Sequence, residues 1–226
     1  MSLHVGPLTY VSTKRRVRED RRFVAGRGRY AADIALDDML HMAVVPSLYP
    51  AARILAIDAS AALAMPGVHH VLSGEQLAQA VDPLMSGLDT PNVRRYPLAV
   101  GRARYAGEWV AAVAAETRAL AEDACEKVEV DYEPLPFVLD AEEALDPASP
   151  PVHPEHGSNV LLDKTFVWGD VEGDFAASSR RLGFRVTWGR SSTVPIETFG
   201  VAARWDAWTE MLEVWASIQM PKYADQ

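Results

Sequence analysis

The chain has 226 residues, a formal net charge of −9 and one cysteine. That length leaves room for one or two domains with a sizeable core, and 22 Lys and Arg against 31 Asp and Glu argue against the clustered positive charge that nucleic-acid binding draws on. One cysteine excludes an internal disulfide and a cysteine-ligated iron–sulfur cluster within these residues, and no window reaches the roughly 18 uninterrupted apolar residues of a membrane span.

Residues 1–22 read as a solvated arm, in which Lys14, Arg15, Arg16, Arg18, Arg21 and Arg22 are interrupted by Glu19 and Asp20. Neither arginine pair is followed by the apolar run of about 7–15 residues that an export signal needs, so a cytoplasmic location is expected. Residues 39–45 are mostly apolar and predict a strand buried on both faces; residues 53–58 alternate as a second strand after a turn at 46–50. Ser60 is placed to cap a short helix that stops at Met65, before Pro66 and Gly67, with a strand over 68–72. Ser73, followed by Glu75 and Gln76, caps another helix through 77–81.

Residues 83–97 carry four Gly or Pro and no periodicity, which predicts a loop long enough to serve a substrate channel or a subunit contact. Residues 108–115 are an apolar run rich in Val and Ala. Glu116 then opens a helix on which Leu120, Ala124 and Val128 fall a turn apart, and 128–132 returns as a strand. This second strand–helix–strand unit repeats the first. Residues 140–144 predict a helical turn, and Pro147, Pro151 and Pro154 mark a linker over 147–158. Beyond it, residues 160–167, 182–192 and 200–216 alternate like strands, so a second domain is expected from residue 159 onward, after a first over 23–146.

Several local signals invite chemistry and have plainer explanations. Gly26-Arg27-Gly28-Arg29-Tyr30-Ala31 fits G-x-G-x-x-A, but a dinucleotide site needs a buried strand before it and a helix after it, and a turn closing on Asp33 is the simpler reading. His69-His70 and His153-x2-His156 lack the third and fourth ligands of a zinc site and read as solvated or locally hydrogen-bonded. Cys125 reads as a small buried residue rather than a nucleophile. Trp168, Trp188, Trp205, Trp208 and Trp215 crowd the C-terminal part and read as core or interface packing rather than a ligand pocket. Glu197 sits among apolar neighbours and needs partners that Arg190 is placed to supply; a structural pair is the simpler alternative to direct catalysis.

Six short motifs stand in one order: Arg53-Ile54 with Ile57-Asp58; Met65-Pro66-Gly67-Val68; Tyr105-Ala106-Gly107-Glu108; Tyr132-Glu133-Pro134-Leu135-Pro136; Arg190-x4-Pro195-x-Glu197 with Ala202-Ala203-Arg204-Trp205-Asp206; and Val214-Trp215-Ala216-Ser217-Ile218-Gln219-Met220-Pro221. In this order the sequence resembles the molybdenum hydroxylases, the family of xanthine dehydrogenase, aldehyde oxidase and aerobic carbon monoxide dehydrogenase. The resemblance implies an α+β fold, with an α/β hammerhead domain followed by the incomplete first part of a molybdopterin-binding domain over 159–226.

It also implies a catalytic-subunit component with a molybdopterin-type molybdenum cofactor. The 2Fe-2S clusters and FAD would lie on an iron–sulfur subunit and an FAD subunit, and the remaining molybdopterin-domain polypeptide would be a further partner. By the same resemblance Arg190, Glu197, Gly200 and Gln219 are cofactor-side residues. Gly200 departs from members that carry glutamine three residues after the Pro-x-Glu glutamate, which leaves the substrate open. The family's glycine-rich pterin loop and its catalytic glutamate fall beyond Gln226, so activity of this chain alone is not expected. A non-catalytic assembly or ligand-binding module that kept the hammerhead fold is the alternative reading.

Overall fold

The computed structural model describes residues 17–84, 93–189 and 194–220. In chain order the elements are α1 (Asp20–Val24), β1 (His41–Pro46), β2 (Ala52–Asp58), α2 (Ser60–Leu63), β3 (Val68–Ser73), α3 (Gly74–Ala80), β4 (Arg102–Ala103), β5 (Trp109–Ala115), α4 (Arg118–Cys125), β6 (Glu129–Pro134), α5 (Val171–Ala177), β7 (Val201–Asp206) and β8 (Met211–Ala216). Short 3-10 turns occur at Ala31–Asp33 and Glu143–Leu145. Two compact units result: a larger one, Asp37–Val186, and a smaller one that joins Met1–Leu36 to Thr187–Gln226.

The larger unit holds two three-stranded sheets, ordered β1-β5-β3 and β4-β2-β6, with every pairing antiparallel. The two strand–helix–strand stretches expected from the sequence are present as β2-α2-β3 and β5-α4-β6. Neither pairs its own strands: β2 pairs with β6, and β3 with β5. Alternation along a segment tells which side chains share a face, but it does not name the neighbouring strand.

β5 lies at the centre of its sheet, and Val110, Ala111, Val113 and Ala115 on it are fully buried. Its side chains feed both cores, with Ala111 and Val113 meeting Ala62, Val71, Ala124 and Val128, and Val110 meeting Ile54, Ala99 and Ala103. Alanines on β5 and at Ala121 and Ala124 of α4 let the helix approach the sheet closely, which keeps packing dense with short side chains. The expectation that 39–45 is buried on both faces is corrected. β1 is an edge strand whose residues are half-buried or exposed, with Met42 64% exposed, as one-sided antiparallel sheets allow.

Helix starts follow local hydrogen bonding. Ser73 and Gln76 form the expected capping box, with Ser73 Oγ accepting from Gln76 N at 3.3 Å and Gln76 Oε1 accepting from Ser73 N at 2.9 Å. Gly74 follows at once, where any Cβ would overlap the Ala99 carbonyl. α4 starts after Thr117, whose Oγ1 accepts from Leu120 N at 3.2 Å, rather than at Glu116. The expected Ser60 cap is also corrected: Ser60 is the first helical residue, and Asp58 Oδ1 accepts from its N–H at 2.8 Å.

The proline-rich stretch after Leu145 is tied down within the larger unit. Asn159 Nδ2 donates to Ala144 O and Pro150 O, both at 3.2 Å, and its Oδ1 accepts from Val152 N at 2.9 Å. Further on, Asp170 caps α5 through Gly173 N at 3.0 Å. Residues 160–167 form no strand, contrary to their alternation, nor do residues 182–189 of the expected strand 182–192, whose last three residues lie outside the described residues; alternation alone does not supply the neighbour that a strand pairs with. Among the described residues no helix is long and apolar enough to cross a membrane.

Candidate functional site

The smaller unit brings the N-terminal glycine turn to the Pro-x-Glu segment and the hairpin that follows it. The fingerprint glycines are preceded by α1 rather than a strand and followed by a single 3-10 turn, so the geometry for a dinucleotide pyrophosphate is absent here. The segment closes on Asp33 instead: Asp33 Oδ2 accepts from Tyr30 N at 2.9 Å, and Tyr30 O accepts from Asp33 N at 3.0 Å. Stacking of Phe23 on Tyr30, with ring centroids 5.5 Å apart, braces the same turn.

Glu197 is held by that turn. Its Oε1 accepts from Ala31 N at 2.8 Å, across 166 positions of sequence. The partner foreseen for it, Arg190, lies outside the described residues. At the mouth of the β7–β8 hairpin, Gly200 and Ser217 lock together: Gly200 N donates to Ser217 Oγ at 2.9 Å, Ser217 N donates to Gly200 O at 3.0 Å, and Ser217 Oγ donates to Thr198 O at 3.0 Å. A Cβ at Gly200 would stand 3.2 Å from Ala31 Cβ, so a small residue there lets the turn and the hairpin approach. Gln219 is exposed.

A pocket of about 500 Å³ in this unit is lined by Arg29, Tyr30, Ala31, Glu197 and the strand residues Trp215 and Ala216. Of the four residues singled out from the sequence, the structure brings Glu197 and Gly200 together around Ala31. Ala31 and Ser217 were not foreseen as their partners. Ser217 lay within a recognised motif, but nothing local in the sequence signals a contact made so far along the chain.

The other sequence candidates have local partners. His153 Nδ1 is 3.3 Å from Glu155 Oε1, His156 Nε2 donates to Val160 O at 3.0 Å, and His69 Nε2 is 3.4 Å from Glu116 Oε1. No group of three or more His, Cys, Asp or Glu able to hold a metal ion occurs among the described residues. Burial and the nearby Glu122 carboxylate push the Cys125 thiol pKa up, the opposite of an activated nucleophile. Trp168, Trp188, Trp205 and Trp208 are between 59% and 94% exposed, so they fill no core among the described residues. The loop foreseen over 83–97 is described only at its ends, with residues 85–92 outside the described residues.

Residues 25–136 match the a/b hammerhead domain of aldehyde oxidase and xanthine dehydrogenase, and residues 152–226 match the molybdopterin cofactor-binding domain. Similar proteins include the nicotine 6-hydroxylase large subunit of Paenarthrobacter nicotinovorans, 37% identical over 91% of this chain and 25% of that protein. The carbon monoxide dehydrogenase large chain of Hydrogenophaga pseudoflava is 33% identical over 90% of this chain and 27% of its own length. Among solved structures, quinoline 2-oxidoreductase from Pseudomonas putida 86 superposes with a TM-score of 0.83 at 35% identity, covering 91% of this chain and 26% of that one. The chain thus spans about a quarter of the length of the curated relatives it matches. With a hammerhead domain followed by the first part of a molybdopterin-binding domain, it belongs to the molybdenum hydroxylase family of xanthine dehydrogenase and aldehyde oxidase.

Proposed function

We propose that this chain is the N-terminal portion, or a split subunit, of a molybdenum-dependent hydroxylase that oxidises an aldehyde or N-heterocyclic substrate with oxygen derived from water. Electrons would leave through an iron–sulfur subunit to an FAD subunit, and the remaining molybdopterin-domain polypeptide would complete the site. The observation that carries this reading is the succession of both family segments in one chain at 37% identity to a hydroxylase large subunit. Two of the similar proteins are named for N-heterocycles, nicotine and quinoline, which supports that substrate class over aldehydes. A cytoplasmic location is part of this proposal and rests on the sequence reading alone.

The residues of the smaller unit suit such a cofactor in their chemistry. Arg29 lines the Glu197 pocket, is exposed and has no ion-pair partner among the described residues, so its guanidinium is available to the phosphate of a pterin. The Gln219 amide is likewise exposed. When bound, the molybdenum cofactor supplies the redox chemistry, and the protein supplies orientation and electrostatics. We assign that orienting role to Arg190, Glu197, Gly200 and Gln219. Glu197 holds the turn at Ala31, Gly200 leaves space for that turn beside the hairpin, and Gln219 offers its amide for hydrogen bonding. The catalytic base is assigned to the partner polypeptide.

The test is native mass spectrometry with elemental analysis on the protein purified from its own source. Molybdenum and iron in a larger complex are expected. A metal-free, lone polypeptide would overturn the proposal and leave the assembly or ligand-binding module. In the complete enzyme, Glu197→Gln preserves an oxygen that can accept from Ala31 N but removes the charge, whereas Glu197→Ala removes both. Loss of turnover in both variants assigns the role to the charge; loss in the alanine variant alone assigns it to the turn.

A further inference from the structure

A second concave site lies wholly within the larger unit. It encloses about 550 Å³ and is lined by Arg94, Tyr96, Leu98, Val100, Arg104 and Glu155. Its volume falls within the range of small-molecule sites, about 300–1,000 Å³, and its lining sets two guanidinium groups beside an aromatic ring and two aliphatic side chains. In a chain of net charge −9, such a concentration of arginine is a local reversal of sign. Arg102 adds to it, standing close enough to Arg104 for the two charges to repel.

The carboxylates nearby do not satisfy these arginines. Arg104 is only 16% exposed, yet its Nη2 is 3.8 Å from Glu155 Oε1 and its Nη1 is 3.6 Å from Glu108 Oε1. Both distances exceed the roughly 2.7–2.9 Å of a charge-assisted hydrogen bond. Glu155 Oε1 is also shared with His153, and Glu108 Oε2 is engaged by the Arg104 backbone N–H. The Arg104 Nε is buried and has no hydrogen-bond partner, a costly state for a charged donor. Arg94 is exposed and forms no ion pair among the described residues. Burial pushes the His153 pKa down, with the Arg104 charge adding to that and the Glu155 bond opposing it, so the imidazole is neutral near pH 7. The lining itself sets two guanidinium groups against one carboxylate, with Arg102 and Glu108 beside Arg104, which leaves the pocket net positive.

We propose that this pocket binds a small organic monocarboxylate, its carboxylate taken by Arg94 and Arg104 and its apolar body packed against Tyr96, Leu98 and Val100. A net positive lining suits an anion, and the ring and aliphatic side chains suit a ligand with an apolar body better than an inorganic ion. The site stands on the larger unit alone, so it survives if the molybdenum reading fails.

The experiment titrates the complete protein with sodium benzoate, with inorganic phosphate and with benzyl alcohol, following binding by calorimetry and by the NMR shifts of the probe. Saturable benzoate binding is expected, with phosphate and the alcohol each about tenfold weaker or more, since the first lacks the body and the second the charge. Arg94→Gln, at an exposed position, weakens benzoate by about tenfold while the circular dichroism spectrum stays unchanged. Glu155→Gln removes the competing carboxylate and tightens it. Benzoate that fails to saturate, phosphate that binds as tightly, or affinity unmoved by Arg94→Gln would overturn the assignment.

Discussion

In Asp37–Val186 the side chains of β5 disappear between strands and α4, whereas on the β7–β8 ribbon only Ala202 is buried and Trp205, Met211, Leu212 and Val214 stand at least half exposed. Both regions are comparably apolar in sequence. They differ in layers: the larger unit stacks helices and two sheets around its cores, while the two-stranded ribbon has no second sheet or helix layer among the described residues of its unit and is at best marginal alone. Exposed apolar surface of this kind is typical of interaction sites, and the chain covers about a quarter of its relatives. Apolar content alone therefore does not tell whether a segment folds independently.

That contrast can be broken by substitution, and the largest effect is expected at Gly74. Gly74→Ala puts a methyl group into the Ala99 carbonyl, and the denaturant midpoint should fall by the equivalent of about 3 kcal/mol. Val113→Ala, at a fully buried position of β5, should cost about 2 kcal/mol in the same transition. Trp208→Ser removes a far larger side chain that is 94% exposed, and should move that transition by less than about 0.5 kcal/mol. A Trp208→Ser variant as unstable as Val113→Ala would erase the distinction between the two regions.

The smallest effect is a pH dependence confined to the larger unit. Burial keeps the folded-state pKa of His153 below its ordinary 6.5, despite the Glu155 hydrogen bond that raises it. The unfolded chain takes up a proton that the folded chain resists, so the contribution of His153 to stability is complete above about pH 6.5 and is lost as pH falls through the folded-state pKa. His153→Gln should flatten the loss of stability between about pH 7 and pH 5. An unchanged slope in urea melts would show that other groups carry it.

Much of the larger unit was legible because its signals are local. The alternation of residues 53–58, the Ser73–Gln76 capping box and the Val/Ala run of β5 each depend on residues within a turn or a strand, and each appears in place. The same reasoning misjudged β1, since an apolar run records hydrophobicity and cannot tell an edge strand from a central one. It also assigned strands at 160–167 and 182–192, where alternation is present but the described residues form no strand. At the candidate site, motif order pointed to Glu197 and Gly200. The contacts that position them, with Ala31 and Ser217, join segments too distant for any spacing rule.

The nested pairing of β3 with β5 inside β2 with β6 also constrains the history of the larger unit. Joining β3 to β5 closes the shorter loop first, and loop-closure entropy then makes the outer pair cheaper to form. Once the inner pair is made, only α2, α4 and their short connections separate the outer strands. The chain is thus built to zip from the inside outward. Lengthening the connection between β3 and β5 would therefore slow folding more than it would weaken the finished protein.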